Sequence, residues 1–161
     1  MYRVAALSML SALCLLAGCG SLSPFSTLTK LDLTLIAGDE VNPDLHGRPS
    51  PVVVHLLELR HPVAFENADF FSLYDRAEQT LSRDWVRSEE LALRPGEQLE
   101  LKLSVEPHSR YVGVLAAYRD LPHVQWRLVL PVAPGQLTRA GVVLDQTGLR
   151  MATPQTDRTE D

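Results

Sequence analysis

Cysteine is scarce in this 161-residue chain: Cys14 and Cys19 are its only two, and both lie near the N-terminus. The body of the chain therefore has no internal disulfide and no thiolate for a zinc site. Aromatic residues make up 6% of the sequence, too few to line a large ligand-binding face. The longest apolar run near the N-terminus, residues 4–16, holds 13 residues, short of the ~20 that a spanning helix needs. No Lys/Arg cluster is present, and the formal charge is -5. Nucleic-acid binding is excluded on that ground, because phosphate neutralisation dominates such affinity.

Catalytic signatures are missing as well. His46, His55, His61, His108 and His123 form neither H-x-H nor H-E-x-x-H, so no metal site is expected. There is no G-x-S-x-G, no Ser-x-x-Lys and no Gly-rich phosphate loop. Glu89 and Glu90 are neighbours on a predicted strand and point to opposite faces. Asp69 and Asp75 diverge on a predicted helix. The chain is expected not to be an enzyme and to need no cofactor. Its length suits one domain.

What the N-terminus does contain is an address. Arg3 precedes the short apolar run, the pattern of a cleaved secretory signal. Leu16-Ala17-Gly18-Cys19 follows and resembles the bacterial lipobox, in which the Cys is lipidated and becomes the mature N-terminus. The predicted organisation is a signal peptide at 1–18, a lipidated Cys19 with a flexible tether to residue 29, a folded domain at 30–151 and a frayed tail at 152–161. Cleavage leaves 143 residues, a charge of -6 and no free thiol. Three acyl chains on Cys19 hold far more firmly than the single chain that binds only reversibly. Gly20 follows the Cys, and by the usual sorting rule the destination is the outer membrane.

The body reads as strands. Leu31, Leu33 and Leu35 alternate with polar residues, as do Leu99, Leu101, Leu103 and Val105. Residues 51–59, PVVVHLLEL, are nearly continuous in apolar character, as a central strand requires. The runs either side of Pro95-Gly96 are expected to pair as an antiparallel hairpin. Residues 111–118 and 125–132 are further strands, with Pro131 at an edge. Strands at 137–144 and 149–151 flank a turn at 145–148. About eight short strands indicate an all-β sandwich. One helical stretch interrupts them after the second strand: Asn67 is placed to cap a helix starting at Ala68, and Phe70, Leu73 and Tyr74 share one face of it. It is expected to plug an open end of the sheets.

One connection is too long for its place. Residues 37–50, AGDEVNPDLHGRPS, join two confident strands, where a hairpin usually takes two to five residues. Asn42-Pro43-Asp44 makes a local turn, Gly47 gives backbone freedom, and Pro49 and Pro51 stiffen the exit.

Asn42-Pro43-Asp44, Gly47-Arg48-Pro49-Ser50-Pro51-Val52-Val53-Val54 and Leu59 resemble the hallmark segment of the type VI secretion system outer-membrane lipoprotein family (TssJ, also called SciN or VasD). Ala68-Asp69-Phe70-Phe71-x-Leu73-Tyr74, Leu93-x-Pro95-Gly96-Glu97, Ala117-Tyr118-Arg119-Asp120 and Trp126-Arg127 resemble its later blocks, in order. The resemblance implies a transthyretin-like β-sandwich with added helices. It also implies a periplasm-facing, lipid-anchored component of the secretion complex. Its implied partner is the periplasmic domain of the inner-membrane protein TssM, in a complex with TssL. Carried over by position, the contact loop is 38–50, with Asp39, Glu40, Asn42, Asp44, His46 and Arg48 as candidates. That loop is acidic on one side, so a basic surface on TssM is expected. In the Tyr118-to-Arg127 stretch, Arg119 or Arg127 is expected to pair with Asp120 while Trp126 packs inside. The competing reading is a periplasmic carrier or carbohydrate-binding lipoprotein that uses its sandwich face, which would require a concave apolar pocket.

Overall fold

The computed structural model describes residues 28–153. The signal peptide, Cys19, most of the tether and most of the tail lie outside the described residues. Eight strands form two four-stranded sheets, with orders β4-β1-β7-β8 and β3-β2-β5-β6. They are β1 (Thr29–Ala37), β2 (Val52–Leu59), β3 (Trp85–Leu93), β4 (Gln98–Val105), β5 (Tyr111–Ala117), β6 (Arg127–Pro131), β7 (Leu137–Asp145) and β8 (Gly148–Met151). Two helices, α1 (Val63–Asn67) and α2 (Phe70–Leu81), lie between β2 and β3. This is the expected all-β, transthyretin-like sandwich with a helical insertion after the second strand.

The alternation in β1 sets the first core. Leu31, Leu33 and Leu35 are buried, while Lys30 is exposed and Asp32 and Thr34 are half-buried on the other face. They sit opposite Leu103, Leu101 and Leu99 of β4 in antiparallel register. Across the sandwich, Val52, Val54, Leu56, Val112 and Val114 complete the layer. β2 and β5 are the two inner strands of their sheet and are covered on both faces, which is why they read as nearly continuous in apolar character. Pro131 ends β6, an edge strand, where the ladder does not need its missing N–H. The β7–β8 hairpin closes as expected, with Asp145 opposite Gly148.

Three expectations need correction. The runs flanking Pro95-Gly96 do not pair with each other, because β3 and β4 belong to different sheets. The turn is real: Gly96 has φ +76°, and the Glu97 N–H donates to the Arg94 carbonyl at 3.0 Å. It carries the chain across the sandwich, since the leucines of β4 match those of β1 and β3 matches β2. Second, Asn67 does not cap the long helix. Asp69 does, accepting the Ser72 N–H at 3.0 Å, and Asn67 instead ends α1. Third, the helices do not plug an end. They cover the outer face of the β3-β2-β5-β6 sheet and build a second core from Leu57, Leu59, Phe65, Phe70, Leu73 and Leu115. A β-carbon added at Gly113 would lie 2.9 Å from the Phe65 ring, so only glycine lets that ring sit on β5.

Strand direction gives the molecule two poles. β1 enters at Thr29 and leaves at Ala37, a span of roughly 26 Å at ~3.3 Å per residue. Registers place the segments at 60–62, 106–110 and 132–136 at the entry pole. Those at 38–51, 94–97, 118–126 and 146–147 lie at the exit pole. The described chain therefore enters the domain at one pole, and the long loop occupies the other.

Candidate functional site

The loop at 38–51 is built from its own residues. The Gly38 N–H donates to the Leu144 carbonyl at 2.8 Å and the Val41 N–H to the Gly38 carbonyl at 3.1 Å. Val41 is fully buried in the main core and roots the loop there. Asn42 takes φ +49°, a conformation that Asn tolerates better than most residues, and is buried. Its Nδ2 donates to the Pro51 carbonyl at 2.8 Å, and its Oδ1 accepts the Arg119 N–H at 2.8 Å. One side chain thus ties the loop's entry to its exit and to the neighbouring 118–124 segment.

The tip is locked by Asp44. Its Oδ1 accepts the N–H groups of His46 and Arg48 at 2.8 and 3.0 Å. Its Oδ2 meets the Arg48 guanidinium at 2.8 Å from Nε and 2.7 Å from a terminal nitrogen. These bonds to Arg48, with the His46 amide and the charge of Arg119, hold the Asp44 carboxyl below the usual carboxylate value of 3.8. Gly47, at φ +73°, completes the tight return.

Of the six candidates, Asn42, Asp44 and Arg48 hold the loop's own shape. Glu40 accepts a hydrogen bond from the Gln146 side chain. Asp39 and His46 are exposed, and their side chains make no hydrogen bond or ion pair among the described residues. Sequence reasoning passed over Leu45, the apolar residue at the polar tip of the loop, which stands fully exposed there. Its isolation between Asp44 and His46 was the available signal.

Beside the loop runs an open cleft of about 740 Å³, lined by Asn42, Leu45, Arg48, Tyr118, Arg119 and His123 among others. Tyr118 is buried, and burial near Asp145 pushes its hydroxyl pKa up. Asp120 does not pair with either arginine expected of it; His123 Nδ1 lies 2.7 Å from its carboxylate. Arg127 is drawn away because it donates to the Phe65 and Ala68 carbonyls at 3.0 and 2.7 Å, and its guanidinium lies over the Trp126 ring. Trp126 packs partly buried between the two cores, as expected. Among the described residues no cluster of three or more His, Cys, Asp or Glu could hold a metal ion. None of the described helices is long and apolar enough to cross a membrane.

Comparison with known proteins places this architecture. A family described as type VI secretion lipoprotein, VasD, EvfM and TssJ, matches residues 29–147. The lipoprotein TssJ1 of Pseudomonas aeruginosa is 34% identical, with a TM-score of 0.75, covering 78% of this chain and 95% of that one. Lip of Serratia marcescens, a membrane-bound component of the type VI secretion system, is 28% identical, with a TM-score of 0.72, over 78% and 98%. A chain in the structure described as the TssM C-terminal domain from EAEC shares the fold, at 21% identity and a TM-score of 0.64, over 78% and 98%. No curated protein matches. The chain belongs to the type VI secretion lipoprotein family that includes TssJ and VasD.

Proposed function

We propose that the chain anchors a type VI secretion complex to the outer membrane and docks the periplasmic domain of TssM through the loop between β1 and β2, without catalysis. The observation that carries the reading is polar separation. The described chain enters the sandwich at Thr29 at one end, and a pre-shaped, exposed loop stands at the other. A loop already held in one conformation loses less entropy on docking than a floppy one. Cys19 carries the lipid, and cleavage precedes it. The tether between Cys19 and β1, about ten residues, reaches at most roughly 35 Å, so the domain stays near the membrane and presents the loop to the periplasm. TssL joins the assembly through TssM.

The carrier alternative gains nothing from the geometry. Among the described residues the sandwich interior is filled by apolar side chains, and the outer face of one sheet is covered by α1 and α2.

The test is a pull-down with the TssM periplasmic domain, comparing wild type with a chain whose 38–50 loop is shortened. Binding is expected to be lost on shortening while the fold survives; undiminished binding would refute the docking site. In cells, Cys19→Ser is expected to leave a folded but soluble protein and stop secretion. Normal secretion by that soluble form would sink the anchoring role.

A further inference from the structure

The polar side chains of the loop are mostly occupied within this chain. Asp44 and Arg48 are bound to each other, Asn42 is buried, and Glu40 holds Gln146. Nearby, Asp120 is taken by His123, and Asp145 by Arg150 at 2.9 Å. Of these acids only Asp44 and Asp145 are matched by an arginine, while Asp39 and Glu40 keep their negative charge on the surface. Beside them the frame presents Leu45. It is 103% exposed, whereas the other exposed large apolar side chains among the described residues lie between 42% and 65%. The residues either side of it are fixed, Asp44 by the Arg48 guanidinium and His46 through its N–H. Around it stand the polar groups of the cleft, with Arg119 making no side-chain hydrogen bond or ion pair among the described residues. An apolar centre inside a polar rim is the anatomy of a specific protein interface.

We propose that Leu45 is the knob by which the loop engages TssM: it enters an apolar pocket on the periplasmic domain, and His46 and Arg119 contact that pocket's polar rim. The inference rests on the docking reading above and names its apolar contact. Water-exposed apolar surface held rigidly at a loop tip gains nothing for this chain's own fold. It gains on association by leaving water without any further ordering of the loop.

The experiment is calorimetric titration of the purified TssM periplasmic domain with the Cys19→Ser chain and its Leu45→Ala, Leu45→Asp and Leu45→Met variants. A chain with both Asp39→Asn and His46→Gln and the loop-shortened chain complete the set. Leu45→Ala is expected to weaken binding roughly tenfold to a hundredfold, the scale of burying one Leu side chain. Leu45→Asp is expected to weaken it further, and Leu45→Met to stay within about threefold, since Met refills an apolar pocket. The double polar variant is expected to lose less than Leu45→Ala. All point variants should melt with wild type, because the position is solvent-exposed. If Leu45→Ala and Leu45→Asp bind as wild type while the shortened chain does not, the loop docks by its polar groups or backbone and the inference is wrong. If the shortened chain itself still binds, the docking reading fails first, and this inference fails with it.

Discussion

Asn42 does at the residue level what the loop's length alone could not reveal. Its carboxamide bridges the Pro51 carbonyl and the Arg119 N–H while the backbone takes a positive φ. Asn42→Ala removes both part-buried bonds and leaves a carbonyl and an N–H facing a methyl group. Each such bond contributes ~0.5–1.5 kcal/mol net, so a loss of about 1–3 kcal/mol is expected in urea denaturation. A loss below about 0.5 kcal/mol would show that the bridge is not structural. The sequence marked Asn42 as a turn former, and that was sound as far as it went. It could not show the 77-residue-distant contact with Arg119, because no local pattern encodes a tertiary hydrogen bond.

The same limit operates on whole elements. Strands with clean period-two alternation, β1 and β4, were legible because one face is core and the other faces water. The partner of each strand was less legible. Pro95-Gly96 has the chemistry of a tight turn whether the chain doubles back in one sheet or crosses to the other. Only the matched leucines of β1 and β4 decide it. The cap was misassigned to Asn67 because Asn67 and Asp69 are both good N-caps two residues apart, and the extended conformation at Asp69 selects the second. His55 belongs at this scale too. It lies on the β2 face that α2 covers, with Tyr74 at 4.6 Å between ring centroids and Glu90 Oε2 at 3.1 Å, out of line for a hydrogen bond. Burial lowers its pKa below 6.5, and the Glu90 charge only partly opposes this. The folded state therefore takes up its proton at a lower pH than the unfolded state. The resulting stability is present above pH 6.5 and is lost as pH falls through the folded value. Unfolding free energies between pH 7.5 and 5 are expected to fall more steeply in wild type than in His55→Gln. Parallel curves would remove His55 from the account.

At the scale of the molecule, the sandwich has the entry of the described chain at one pole and the long loop at the other. Its two cores make the separation stiff. One lies between the sheets, and the other lies under the helices, where Phe65 rests on Gly113. The opposite edge is closed by Gln125, whose backbone bonds Thr147 and Leu149 and whose close approach admits only glycine at position 148. The sequence marked the lipobox-like segment and the odd loop, each as a local pattern. It could not show that the chain enters the domain at the end opposite the loop, because that follows from the direction of β1 and its parallel pairing with β7. Cross-linking in intact cells tests this arrangement most directly, with a photoreactive residue placed at position 45 on the loop pole or at position 108 on the entry pole. A cross-link to TssM is expected from position 45 and none from position 108. A TssM cross-link from position 108 with none from position 45 would contradict the arrangement.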